Sequence, residues 1–158
     1  MFDTASLLMT TPELILSVSG LVLMMIAAYA GDRSAVLVGW LAIAGLTVAG
    51  LSFACQSIPH GDAFDGLYRA DAFAAFAKVL IYGSAAASIL VAPRFFATGN
   101  GGAIRAEYPV LILFACVGMG MMVSATDMLT LYVGLELNSL AAYILASFMR
   151  QDSRSAEA

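Results

Sequence analysis

Charge is what this chain has least of. Only 11% of its 158 residues are charged and 61% are hydrophobic, against ~25% and ~45–50% in ordinary soluble domains. So few ions cannot solvate a water-soluble surface of this size, and the chain reads as an integral membrane protein. The formal charge of −4 is scattered over short connections and ends, which leaves no basic patch for nucleic acid. Cysteine is nearly absent. Cys55 and Cys116 each stand alone in an apolar run, which excludes a paired redox or metal motif and leaves small packing residues. His60 is the single histidine, flanked by Pro59 and Gly61, and reads as solvated rather than as a ligand. There is no nucleotide-binding glycine motif, catalytic triad or metal cluster, so an independent soluble enzyme is disfavoured. Before the first apolar run there is no lysine or arginine, unlike a signal peptide, and that run is expected to stay as a membrane helix.

What is present is a series of long apolar runs. Spans are expected at about 12–30, 36–57, 71–92, 109–125 and 128–149, forming an all-α, polytopic transmembrane bundle in a single region. All four prolines lie at or beside the proposed helix ends, where the missing N–H does least harm. Pro93 is expected to close the third span, and Glu13 to sit at the positive end of the first helix dipole. Gly31-Asp32-Arg33-Ser34 is short enough to make the first two spans antiparallel neighbours. The stretch 58–70, with Pro59, Gly61, Gly66 and several charges, reads as a solvated loop. In the fourth span, Gly118 and Gly120 would let a neighbouring helix approach closely. Thr126 or Asp127 can cap the fifth.

Positive charges give the orientation. Arg33, Arg94, Arg105, Arg150 and Arg154 fall on one side of the proposed spans and Arg69 alone on the other. This predicts a periplasmic amino terminus and a cytoplasmic residue 158.

Two ionisable residues lie inside spans. Lys78 is seven residues beyond Asp71, ~10 Å in from the periplasmic end. It is either a snorkelling or structural lysine, or one facing a hydrated interior where it takes part in proton or charge movement. Glu136 is near the middle of the fifth span, too deep for that escape. An acid there costs roughly 2.5 to 3.5 kcal/mol, which makes it a functional candidate with a partner to be found. At ~100° per residue, Tyr132, Ser139, Tyr143 and Ser147 share its side of the helix.

The run from Glu107-Tyr108-Pro109 through Asp127 to Tyr143, with Gly-x-Glu-Leu-x-Ser-Leu over Gly134–Leu140, resembles the fourth and fifth helices of the antiporter-like membrane subunits of respiratory complex I. Leu135 and Ala141 stand where the M and L types usually carry Trp and Pro, which favours the N type. Asp71-x-Phe73 and Lys78 resemble the same family less distinctively.

The resemblance implies the first third of a proton-translocating subunit of NADH:quinone oxidoreductase. That subunit would have no redox centre or metal of its own, since NADH, FMN, iron–sulfur clusters and quinone are bound by other subunits. Its partners would be the neighbouring M-type and K-type subunits and the lipid bilayer. It also implies that Glu136 takes part in proton transfer by pairing with a lysine on a later helix, and that further pumping lysines lie beyond Ala158. Two other readings stay open: an Mrp-type cation/proton antiporter subunit, and a structural bundle protein in which Glu136 anchors an interhelical hydrogen bond.

Overall fold

The computed structural model describes residues 4–55, 61–98 and 105–148. Its order is α1 (Thr4–Met9), α2 (Thr11–Ala30), a 3-10 turn (Gly31–Ser34), α3 (Ala35–Cys55), β1 (Gly61–Ala63), β2 (Tyr68–Ala70), α4 (Ala72–Thr98), α5 (Glu107–Ser124) and α6 (Met128–Ala146). Thr11–Ser52 is one apolar stretch of 42 residues. A single helix of that length would reach ~63 Å at ~1.5 Å per residue, about twice the hydrocarbon core of a bilayer. The turn at Gly31, with φ 62, breaks it into two helices that pack against each other. Helices α4, α5 and α6 are each long and apolar enough to cross a membrane as well. The fold is a polytopic helical bundle.

Helix α5 is its centre, with half of its apolar window buried against 11% for α6. Around it lie Leu16 and Leu23 of α2, Val38 and Leu46 of α3, Ile89 of α4, and α5's own Leu113 and Cys116. The inward positions of α3 (Val38, Ala42, Leu46 and Ala49) recur every three to four residues, as one helix face requires. The opposite faces are no less apolar: Leu21, Trp40, Phe73 and Leu90 are all more than half exposed. A continuous apolar exterior of this kind suits lipid rather than water.

Several boundaries differ from the sequence expectation. The short helix α1 was not foreseen. The stretch read as a solvated loop is an antiparallel hairpin over 61–70, pairing Gly61 with Ala70, Asp62 with Arg69 and Ala63 with Tyr68. Phe64 and Asp65 have positive φ at its turn, as does Gly66 at 90, a conformation glycine adopts without steric cost. A Tyr68–Ala125 bridge ties the hairpin to the turn between α5 and α6. His60 lies outside the described residues.

Helix α4 runs through Pro93 to Thr98 instead of stopping there. Proline removes one donor and crowds one carbonyl, which membrane helices tolerate where neighbouring groups or local adjustment satisfy the freed carbonyl. Helix α6 ends at Ala146, short of the expected Met149, which is outside the described residues.

Candidate buried charge site

Helices α2 and α4 begin at the hairpin end of the bundle, so residues near their starts lie at similar depth. Glu13 is in the first turn of α2. Lys78 is six residues into α4, ~9 Å along the axis. Both point inward, and their side chains are only 8% and 2% exposed. The Lys78 ammonium Nζ forms an ion pair with Glu13 Oε1. An ion pair removed from water is tolerated only where further hydrogen bonds satisfy both ends.

Tyr68 of strand β2 supplies those bonds. Lys78 Nζ donates to its hydroxyl at 2.6 Å, and that hydroxyl donates to Glu13 Oε2 at 3.1 Å. The Lys78 nitrogen also lies 4.7 Å from the centre of the Tyr68 ring, within cation–π range. Burial, and then the negative charge of Glu13, push the Tyr68 phenol above its usual range. It therefore stays protonated and remains a donor. The result is a closed ring of ammonium, phenol and carboxylate.

The walls come from α4 and α5. Tyr82, one turn beyond Lys78 on α4, is buried. A side chain at Gly120 would meet Glu13 Oε1 at 3.2 Å and the Tyr82 hydroxyl at 3.3 Å, so this glycine makes room for the pair. Buried Ser124 stands one turn further along α5, against Tyr68. Met9 and Ala63 pack with Tyr68 to close the cluster on the hairpin side.

Glu136 lies elsewhere. It is half-buried on α6, one turn after Tyr132, which interacts with it. Tyr132 and Tyr143 are 60% and 70% exposed, so the polar stripe read from the sequence lies along an uncovered flank. Among the described residues no cation forms an ion pair with Glu136. Lys78 does not reach it, and does not snorkel either, because its partner is Glu13.

Among curated proteins, the chain is 63% identical over 155 residues to NADH-quinone oxidoreductase subunit N of Rhizorhabdus wittichii, covering 98% of the chain and 32% of that relative. The subunits N of Erythrobacter litoralis and Sphingopyxis alaskensis are 52% and 51% identical over the same shares. Along nearly its whole length the chain is similar to NADH-quinone oxidoreductase subunit N. It spans about a third of the length of these curated relatives. No family model matches it.

In this chain, Lys78 and Glu136 are the residues singled out by the sequence, and Glu13 is the one it leaves hidden. A signal for Glu13 was available. An acid in the first turn of one span and a base early in a span starting on the same side stand at comparable depth with opposite charge. Reading Glu13 only against its own helix dipole concealed that relation. Tyr68 is hidden in the sequence because its stretch has the composition of a loop.

Proposed function

We propose that this chain forms part of a proton-translocating membrane-arm subunit of a bacterial NADH:quinone oxidoreductase, coupling quinone reduction elsewhere in the complex to proton movement. The observation that carries the reading is the 63% identity to a NADH-quinone oxidoreductase subunit N along 98% of the chain. The ionisable groups held within its apolar spans support it, because such residues mark ion and proton routes. Electron carriers and quinone belong to other subunits in this reading, and M-type and K-type subunits are the neighbours. The distribution of arginines supports a periplasmic amino terminus and a cytoplasmic residue 158 in the inner membrane.

Glu136 is the proposed proton-transfer residue, with Lys78 as a second participant. When a cation approaches or leaves Glu136, the Coulomb energy of the pair changes. At an effective dielectric of ~20 a unit-charge pair at ~4 Å interacts by about 4 kcal/mol, on the order of a thousandfold in proton affinity. A change in electrostatics or hydration that opens such a pair thereby drives proton uptake or release.

The test is Glu136→Gln in the intact complex, reconstituted in vesicles. Proton pumping and its coupling to NADH-driven quinone reduction should fall while the complex still assembles. Pumping equal to wild type would remove Glu136 from the mechanism.

A further inference from the structure

The cluster around Lys78 has the composition of a proton relay and a position different from that of Glu136. We propose that Glu13, Tyr68 and Lys78 form a second proton-exchange site, opening toward the membrane face that carries the hairpin. This rests on the chain being part of a proton-translocating subunit but is independent of Glu136.

The geometry gives the route. Lys78 Nζ donates to the Tyr68 hydroxyl, and the Tyr68 hydroxyl donates to Glu13 Oε2. A concerted shift breaks one N–H bond of the ammonium and forms an O–H bond at the phenol oxygen. The phenol's own proton passes at the same moment to Glu13. An ammonium and a carboxylate become an amine and a carboxylic acid, tyrosine is unchanged, and no net charge is created in the apolar interior. Loss of the carboxylic proton to water on the hairpin side, followed by reprotonation of Lys78 from the Tyr82 side, completes one transfer.

Titratable groups from several elements surround the site. Glu13 from α2, Lys78 and Tyr82 from α4, and Tyr68 from β2 face one another. Cys116 of α5 lies near Tyr82, and exposed Asp71 acts on Lys78 from the hairpin end. Gly120 keeps α5 from filling the space beside the carboxylate. The seal over the site is the hairpin, which is fastened to the turn that starts α6: Thr126 N–H donates to Leu67 C=O at 3.3 Å, and Tyr68 bridges to Ala125. The lid over this site is thus joined to the helix that carries Glu136.

The experiment uses the whole complex in vesicles and compares Tyr68→Phe, the double variant Glu13→Gln/Lys78→Met, and Glu136→Gln. Tyr68→Phe keeps the ring and removes the relay oxygen, while the double variant removes both charges together. Each should assemble and pump on the order of a hundredfold more slowly, as loss of a positioned proton carrier implies. The remaining pumping in Tyr68→Phe should also show a pH profile displaced from wild type. Wild-type pumping in the double variant, or failure of either variant to assemble, overturns the proposal and leaves a structural ion pair. Slow pumping in these two with normal pumping in Glu136→Gln supports this site and refutes the role given to Glu136. The reverse pattern refutes this site alone.

Discussion

Gly118 and Gly134 face each other across the α5–α6 contact with no room for a side chain on either. A methyl group on Gly118 would stand 2.6 Å from the carbonyl oxygen of Gly134, and one on Gly134 would stand 2.9 Å from that of Gly118. Both obstacles are backbone, so neither can swing aside. The contact holds α6 at a fixed rotation, with Gly134 and Ala141 inward and Glu136 on the flank. Gly118→Ala should therefore destabilise the full-length subunit by about 1–3 kcal/mol through overpacking. Gly83→Ala, where nothing lies within 4 Å, should be neutral or stabilising by about 0.5–1 kcal/mol. Thermal unfolding of the detergent-solubilised protein compares them, and equal midpoints would mean that the helices do not pack this closely.

Removing one partner of the buried pair should cost more than removing both. Lys78→Met leaves the Glu13 carboxylate without its cation in an apolar setting, a loss of roughly 3–5 kcal/mol. Adding Glu13→Gln should recover most of it, because replacing a whole buried pair by neutral groups is often near neutral. A double variant no more stable than Lys78→Met would show that the two side chains are not coupled.

Tyr68→Phe keeps the packing against Met9 and Ala63 but takes away the hydroxyl that joins Lys78 to Glu13. Leaving those polar groups short of a partner should lower stability by about 1–3 kcal/mol. The same measurement reads this loss, and an unchanged midpoint would show that the hydroxyl is not shared between them.

The tie between the hairpin and the α5–α6 turn can be loosened by itself. Thr126→Val removes the hydroxyl that donates to the Gly66 carbonyl while leaving the Thr126 N–H to Leu67. Global stability should fall by no more than about 0.5–1.5 kcal/mol, whereas amide exchange in residues 61–70 should quicken. Unchanged exchange there would mean that the hairpin is held by other contacts.

Asp127 caps α6, its carboxylate accepting from the Leu129 N–H at 2.9 Å and the Thr130 N–H at 3.3 Å. Hydrogen bonding from Thr130 holds this carboxyl below the usual aspartate range. A depressed folded value means that the cap stabilises above the unfolded pKa and is lost as pH falls through the folded one. The protection of the Leu129 and Thr130 amides relative to their intrinsic exchange should fall on acidification below about pH 4, and Asp127→Ala should show that lowered protection at every pH. Protection independent of pH in both proteins would exclude the carboxylate as the cap.

Helices formed by long apolar runs were legible because length and composition act locally. Glu136 was noticed for the same reason, since an acid in the middle of such a run is anomalous whatever surrounds it. The hairpin was not legible. Two strands of three residues have little preference of their own, and they persist here because Tyr68 is buried beneath them and Thr126 reaches back from a turn some sixty residues on. Pro93 misled in the other direction: its local tendency to end a helix was overridden by the continuing turns to Thr98.

The sequence by itself determined that this chain is a polytopic helical membrane protein, that it resembles the subunit N family, and that Lys78 and Glu136 lie within its spans, because these follow from runs and motifs along one dimension. Tertiary structure alone decided which charges meet. Helices that are apolar on every side carry no amphipathic stripe to fix their rotation. The Gly118–Gly134 contact and the space beside Gly120 set it instead, placing Glu13 opposite Lys78 and leaving Glu136 on an open flank.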